Sequence, residues 1–285
     1  MTFRFIDEHR DRWPVRLLCE TLAVSPAGYD AWRGRPASAR ERRRDTLLVE
    51  SRAVHAEAKA RYGSPRIHAT LVARGQSCCV NTVAKLMRED GIAATTARKF
   101  RCTTDSTHDL PVADNLLDRP FDPASPNESW VTDITYIPTR EGWLCRAAVE
   151  DLYSRRVGGW SMADHLESRL VVDALALAVE RRLPGEGLLA HSDRGSPYAS
   201  DPYHRLLARP GITCSMSCRA DCWDNALLES FFASLKKELV HGADCATRAE
   251  ARAAIVEYIE VFYNSQRLHS SLGYVSPAEY ERKNR

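Results

Sequence analysis

The sequence predicts an α/β protein in which a mixed sheet flanked by helices follows an all-helical front region. Two observations support this class. From Trp130 onward, short alternating runs rich in β-branched and aromatic residues are interleaved with segments of helix length. Before residue 100, apolar residues recur at helical spacing, and glycine and proline divide the chain into short helices.

Four segments are expected within the 285 residues, a length sufficient for about two domains. They are a helical region with two helix-turn-helix-like units at 1–100, a linker at 101–129, a mixed-sheet core at 130–245, and a C-terminal helix and tail at 246–285 that packs on the core. The linker prediction rests on prolines that prevent a long helix, namely Pro111, Pro120, Pro123 and Pro126.

Composition favours a globular protein of a reducing compartment. Apolar residues make up 44% and charged residues 27% of the chain. We expect no membrane span, since no apolar run reaches about 18 residues. The charged start of the chain also argues against a secretory signal, so we expect a cytoplasmic protein whose nine cysteines do not form a disulfide framework.

Charge is distributed unevenly along the chain. Residues 1–100 hold 19 Lys and Arg against 11 Asp and Glu, whereas residues 101–285 hold 21 against 27. A basic front region suggests a polyanionic partner such as DNA, although ordinary solvated surfaces would give the same totals.

The front region contains two predicted helix-turn-helix-like units. Residues 14–33 form the first, with a helix that starts after the cap Ser25-Pro26, and 38–61 form a long helix. The second unit has a helix over 66–74 and another capped by Asn81.

Several basic residues of this second unit are candidate DNA contacts. Lys85 and Arg88 lie on its second helix, which suits contact with phosphate or the groove. Helix pairs of this kind also occur as plain structure, but two such units in the basic part of the chain favour DNA binding.

The core is expected to follow the order β-β-β-α-β-α-β-α. The predicted strands are 130–138, 143–151, 155–162, 187–192 and 211–215, and the predicted helices are 168–182, 201–208 and 225–240, with a further helix over 248–264.

Three acidic residues of this core are the candidate catalytic groups. Asp133 lies within a strand, Asp193 ends a strand, and Glu229 lies on a helix. Each has an ordinary alternative, as an edge charge, the start of a turn and an exposed helix charge. Adjacent elements can nevertheless bring all three together, and such carboxylates repel unless a cation neutralises them.

Clustered carboxylates are suited to Mg²⁺, with Mn²⁺ as a substitute. Two such ions about 3.5–4 Å apart can activate a hydroxyl nucleophile and stabilise a leaving 3′ oxygen. Asn225 and Lys236 share the helix face of Glu229, and together with Lys237 they could meet phosphate or bases beside the ions.

Five motifs carry a family resemblance. They are Trp130-x-x-Asp133-Ile134-Thr135-Tyr136, His191-Ser192-Asp193-x-Gly195-x-x-Tyr198, Asp224-Asn225-Ala226-x-x-Glu229-Ser230-Phe231-Phe232-x-x-Leu235-Lys236, Tyr263-Asn264-x-x-Arg267-x-His269-Ser270-x-Leu272-Gly273-Tyr274-x-Ser276-Pro277 and, in front, Tyr62-Gly63-Ser64-Pro65-Arg66-Ile67. With them the chain resembles the DDE transposases of bacterial insertion sequences, whose core is similar to that of retroviral integrases.

The resemblance implies an RNase H-like integrase core with Asp133, Asp193 and Glu229 as catalytic residues and metal ligands, and dependence on Mg²⁺. It implies 3′-end cleavage and strand transfer at terminal inverted repeats of an insertion sequence. The expected partners are double-stranded DNA of the element ends and target, further copies of this chain on that DNA, and the product of a first reading frame. A nucleoid-associated location in a bacterium follows. Arg66, in the front motif, is expected to contact DNA. Arg267 and His269, in the tail motif, either contact DNA or clamp the core.

Three positions depart from the family pattern, namely Pro197, Cys218 and Ala220. They leave a non-catalytic DNA-binding remnant that represses transposition as the alternative, with an RNase H-type nuclease as another. Cysteines 214, 218 and 222 also raise a structural zinc, but their spacing fits no common finger pattern.

Overall fold

A computed structural model describes residues 2–95, 113–117, 123–208, 211–217, 226–240 and 245–284. Its first six helices are α1 Thr2–His9, α2 Val15–Thr21, α3 Pro26–Arg33, α4 Ala39–Glu57, α5 Ser64–Ala73 and α6 Val80–Glu89. The first three pack around Ile6, Cys19 and Tyr29. The predicted cap of α3 is confirmed, since the Gly28 amide donates to Ser25 Oγ at 3.0 Å.

Helices α4, α5 and α6 form a second helical unit with its own core. Its buried residues are Leu47, Val54, Ala58, Tyr62, Ile67, Leu71, Val83, Leu86 and Met87. The prediction that Asn81 caps α6 is wrong. Cys79 is the extended residue before the first turn (φ −112°, ψ 157°), so Asn81 lies inside the helix and is exposed.

A five-stranded mixed sheet forms the centre of the remaining chain. Its strands are β1 Ser129–Thr139, β2 Gly142–Asp151, β3 Val157–Ala163, β4 Leu189–Ser192 and β5 Thr213–Met216, in the spatial order β3-β2-β1-β4-β5. The first three strands pair antiparallel, as the predicted hairpin requires, whereas β4 pairs parallel to both β1 and β5.

Helices cover both faces of this sheet. Helices α7 Ser168–Arg182 and α8 Asp201–Ala208 pack on one face, and α9 Ala226–Glu238 and α10 Arg248–Glu257 on the other. Helix α7 packs so closely on β3 that a Cβ at position 159, where the chain has glycine, would overlap the Ala174 carbonyl oxygen.

The structure shifts several predicted boundaries, and two of the shifts have a clear local cause. The third strand begins at Val157 rather than 155, because Arg155 adopts a positive φ of 60° and its amide donates to the Asp151 carbonyl in a turn. The last long helix is not α-helical to residue 264, since α10 continues as a π-helical segment, Tyr258–Tyr263.

The sequence patterns did not predict two of the α-helices, α1 and the tail helix α11 Pro277–Lys283. Part of the predicted linker lies against the core. Leu117 is fully buried there, and the Leu116 amide donates to Ser215 Oγ at 2.9 Å. Among the helices of the described residues, none is long and apolar enough to cross a membrane.

Candidate active site

Asp133 occupies the middle of β1 on the sheet face covered by α9. It is the register partner of Ala148 and shares a face with Val131, and both of these residues pack in the cluster that contains the α9 side chains. Its side chain is half-buried, and its Oδ1 accepts a hydrogen bond from the Ile134 amide at 2.7 Å.

Asp193 directly follows β4, the strand parallel to β1. Thr132 and Ser192 are register partners, so Asp133 and Asp193 each come one residue later on neighbouring strands. Asp193 Oδ1 accepts a hydrogen bond from the Gly195 amide at 2.9 Å, which fixes the carboxylate in a tight turn.

Helix α9 brings the third acidic residue and a lysine to the same region. Glu229 lies in its first turn with an exposed side chain, and Lys236 lies two turns later, half-buried. Burial and then the charge of Asp193 raise the pKa of Asp133 to about 8; the Glu229 charge adds to the rise, and the Ile134 amide and Lys236 oppose it. These four side chains therefore share one electrostatic environment.

The pKa of Lys236 is shifted in the same environment. Burial lowers the pKa of Lys236 to about 8, while the charge of Asp133 acts in the opposite direction. A partly desolvated ammonium group near the Asp133 carboxylate is suited to contact a phosphate, because its interactions are weakly screened there.

Within the described residues, no group of three or more His, Cys, Asp or Glu side chains already has the arrangement of a metal site. Asp133 and Asp193 are close enough to perturb one another but also bond to nearby amides. The donor set itself consists of carboxylate oxygens whose mutual repulsion a cation would relieve, and it fits a hard divalent ion.

The residues predicted to contact DNA differ in their exposure to solvent. Lys237, Lys85 and Arg88 are exposed, as a DNA contact requires, and Asn225 lies outside the described residues, as do Cys218 and Ala220. Arg267 is buried, and its Nη2 lies 2.8 Å from Glu238 Oε1, which corrects the expectation that it contacts DNA.

Arg66 is turned toward the same carboxylate, and its Nη1 lies 3.3 Å from Glu238 Oε1. The two arginines thus join the protein to itself. The zinc alternative gains no support, since Cys214 packs against the core on the α7 face, and the other two cysteines lie outside the described residues.

Comparison with known proteins identifies the family. Residues 123–222 and 229–284 match families described as "Integrase core domain", and residues 42–100 match one described as "HTH-like domain". The chain is 40% identical over 286 residues to "Transposase InsF for insertion sequence IS3A" of Escherichia coli (strain K12), with 100% of this chain and 99% of that protein covered.

This chain belongs to the insertion-sequence transposases with an integrase core. It is therefore an enzyme of the polynucleotidyl transferase class and a DNA-binding protein. It is also 38% identical over 266 residues to the "Insertion element IS600 uncharacterized 31 kDa protein" of Shigella sonnei, covering 93% of this chain and 98% of that one. The solved magnesium complex of the HTLV-2 integrase catalytic core domain is 19% identical, covers 55% of this chain and 98% of that chain, and has a TM-score of 0.45.

Tyr198 lies near the candidate site, and the sequence motif that contains it assigned it no role. Tyr198 is fully buried, and its hydroxyl lies 3.2 Å from Thr132 Oγ1, next to Asp133 in β1. Burial and then the charges of Asp133 and Asp193 raise the pKa of Tyr198 well above its usual value. The fixed spacing from Asp193 was the only sequence feature that pointed to it.

Proposed function

We propose that this transposase cleaves the 3′ ends of the terminal inverted repeats of an insertion sequence and transfers them to another DNA site. The observation that carries the proposal is that Asp133 and Asp193 each follow a register partner on neighbouring parallel strands, while α9, which bears Glu229, covers the sheet face of Asp133. Family membership supplies the substrate, since the relative in E. coli is named a transposase for an insertion sequence.

Asp133, Asp193 and Glu229 would hold two divalent cations, Mg²⁺ or Mn²⁺. The charges of both Asp193 and Glu229 raise the pKa of Asp133, as expected of neighbouring carboxylates that would share ions. Glu229 is exposed in the first turn of α9, so its side chain is free to turn toward the other two. When bound, such ions activate a water or a 3′-hydroxyl nucleophile and stabilise the leaving 3′ oxygen.

The remaining residues would bind and orient DNA. Lys236 would hold the phosphate next to the scissile bond, and Lys237 would contact the backbone beyond it. Lys85 and Arg88 on α6 are exposed and would contact the duplex of the element end. Asn225 would also contact DNA, because the sequence predicts that it shares the helix face of Glu229.

The working form would be a homo-oligomer that holds two element ends and the target, with the first-reading-frame product as a further partner, in the cytoplasm at the nucleoid. In this proposal the chain is divided after residues 100, 129 and 245 into a DNA-binding region, a linker, a catalytic core and a C-terminal tail.

A strand-joining assay tests this function. A labelled duplex that carries one element end is incubated with the protein and Mn²⁺ or Mg²⁺, and nicked and joined strands are separated. Joined strands are expected with wild type and with Asp173→Asn, which removes an exposed carboxylate on α7. Asp193→Asn should abolish them. Nicks without joining would indicate a nuclease, and bound but uncut DNA would indicate a repressor.

A further inference from the structure

The front motif and the tail motif meet in the structure, although about 200 residues separate them in sequence. The Tyr62 hydroxyl donates to the Gln266 carbonyl at 3.3 Å and accepts from the Leu268 amide at 3.0 Å. Arg66 Nε donates to the Leu268 carbonyl at 2.9 Å. The helix-turn-helix-like unit formed by α4, α5 and α6 is therefore docked on the tail motif through these hydrogen bonds.

Glu238, near the end of α9, joins the same contact. Its carboxylate accepts from Nε and Nη2 of Arg267 at 2.8–3.1 Å, from Nη1 of Arg66 at 3.3 Å and from the Tyr258 hydroxyl at 2.8 Å. Arg267 Nη2 also donates to Ser234 Oγ on α9. One carboxylate thus ties together the helical unit, the tail and the helix that carries Glu229.

This contact differs from a surface ion pair because its two main side chains are buried. The side chains of Glu238 and Arg267 are 4% and 5% exposed. Burial would raise the pKa of Glu238, but the hydrogen bonds and charges of Arg267, the charge of Arg66 and the Tyr258 hydroxyl together lower it. A buried pair of this kind is costly to break, since the remaining partner keeps an uncompensated charge.

Arg61 reinforces the docking from the front region. Its Nε donates to the Glu238 carbonyl at 3.2 Å, and its guanidinium lies over the Phe262 ring, 4.3 Å from the centroid. Phe262 also packs against the hydrophobic core of the helical unit, so apolar contact accompanies the charges.

Glu238 lies nine residues after Glu229 and two after Lys236 on one uninterrupted helix. With a rise of about 1.5 Å per residue, about 14 Å of helix separates the two glutamates. A displacement of the docked unit would therefore reach Glu229 and Lys236 through a rigid helix.

We propose that Tyr62, Arg66, Glu238 and Arg267 form a positioning site, which holds the helix-turn-helix-like unit in one place relative to α9. DNA bound by that unit then meets the three carboxylates at a fixed distance. None of the four residues touches the reacting phosphate. The inference rests on the proposed function, in which the unit binds the element end and the carboxylates act on it.

The main test compares Arg66→Met with Lys59→Met. The first removes the guanidinium that reaches Glu238 and leaves the Glu238–Arg267 pair in place. The second removes an exposed pair with Glu257, which links the front region to α10. Both variants are assayed for affinity toward an element-end duplex and for the cleavage rate at saturating duplex, well below each variant's Tm.

Arg66→Met should keep its Kd within about twofold while its saturated rate falls at least about tenfold, because misplacement by about 1 Å can cost about 100-fold in rate. Lys59→Met should change neither value by more than about twofold. Arg66→Lys should restore part of the rate. A purely structural role would lower Tm alone, so a wild-type saturated rate in folded Arg66→Met would overturn the proposal.

Tyr62→Phe provides a second variant if Arg66→Met fails to fold, with the same expected split between Kd and rate. Hydrogen exchange supplies a readout that does not depend on catalysis. The element-end duplex should increase amide protection at 234–240 of wild type as well as in α6, and only in α6 of Arg66→Met. If wild type cleaves nothing, the proposed function fails alone. If the duplex does not affect 234–240 of wild type, the positioning proposal fails.

Discussion

The guanidinium of Arg146 lies over the ring of Phe231, with its Cζ 4.8 Å from the ring centroid. Arg146 is fully buried in β2, and within the described residues none of its three side-chain nitrogens has a hydrogen-bond partner. Burial lowers the pKa of this guanidinium to about 9. The sheet face that carries Asp133 thus also carries a cation held mainly by aromatic rings.

Replacing this arginine by an apolar residue should stabilise the protein. The ring contact contributes on the order of 1–2 kcal/mol, whereas an unpaired buried ion costs several kcal/mol. Arg146→Met, which keeps most of the side-chain length, should raise the free energy of unfolding by about 1–3 kcal/mol in urea denaturation. Arg146→Lys retains the charge and should not stabilise. A less stable Arg146→Met would show that the guanidinium has a stabilising partner.

The tail helix α11 is expected to depend on one arginine of α7. Arg182 Nη2 lies 2.9 Å from Asp151 Oδ2 and 2.7 Å from Glu281 Oε1, and all three side chains are at most 10% exposed. Arg182→Met leaves buried Asp151 without its arginine and leaves Glu281 paired with Arg156, so it should cost roughly 3–5 kcal/mol of stability.

The matched control for Arg182 is Lys283→Met, which breaks the exposed pair with Glu279 on the same helix. It should change the free energy of unfolding by less than about 0.5 kcal/mol. Equal effects of the two substitutions in urea denaturation would contradict the assignment of Arg182 as the anchor of α11.

Acid should weaken the contact around Glu238. Because the folded-state pKa of Glu238 lies below its usual 4.5, its contribution is present above about pH 4.5 and is lost as pH falls through the folded value. Glu238→Gln should therefore be less stable than wild type at pH 6 by roughly 3–5 kcal/mol, with the gap narrowing toward pH 3. Urea denaturation across this range gives the gap, and a gap independent of pH would contradict the ion pair.

The thiol of Cys79, at the start of α6, should react faster with an alkylating agent than the buried thiol of Cys145. Cys79 is exposed, and hydrogen bonds from the Thr82 hydroxyl and amide lower the pKa of its thiol. Cys145 is buried, which raises the pKa of its thiol. Because the thiolate is the nucleophile, iodoacetamide should modify Cys79 well before Cys145 in the folded protein, as peptide mass spectrometry can show.

Thr82→Val serves as the control for Cys79, since it removes the hydroxyl that lies 3.1 Å from the thiol sulfur. Alkylation of Cys79 should slow in this variant while that of Cys145 does not change. Modification of Cys145 at the same rate as Cys79 would be incompatible with the burial described.

Local patterns explain which elements the sequence could predict. The alternation of β1 and β2 and the turn at Gly142 predicted the hairpin, because both depend on near neighbours. The start of α6 was misplaced since asparagine is a common cap, whereas the backbone bends at Cys79. The turn at Arg155 was missed because a positive φ is uncommon for arginine.

Tertiary relations lay mostly beyond the sequence. The proximity of Asp133 and Asp193 was expected from adjacent elements of the core and from the resemblance, and it agrees with the register of β1 and β4. Nothing in the periodicity of α9 showed that Glu238 would bind Arg267, 29 residues away, rather than solvent. Arg267 was therefore assigned partly to DNA, although its charge is used inside the protein.

The central claim is that Asp133, Asp193 and Glu229 act together on divalent cations, and calorimetric titration with Mn²⁺ tests it without requiring catalysis. Wild type and Asp173→Asn should each bind two ions, whereas Asp133→Asn, Asp193→Asn and Glu229→Gln should each lose at least one. Loss of a ligand worth several kcal/mol predicts at least about a 100-fold weaker site. Unchanged binding of Mn²⁺ in a protein that carries all three substitutions would contradict the account.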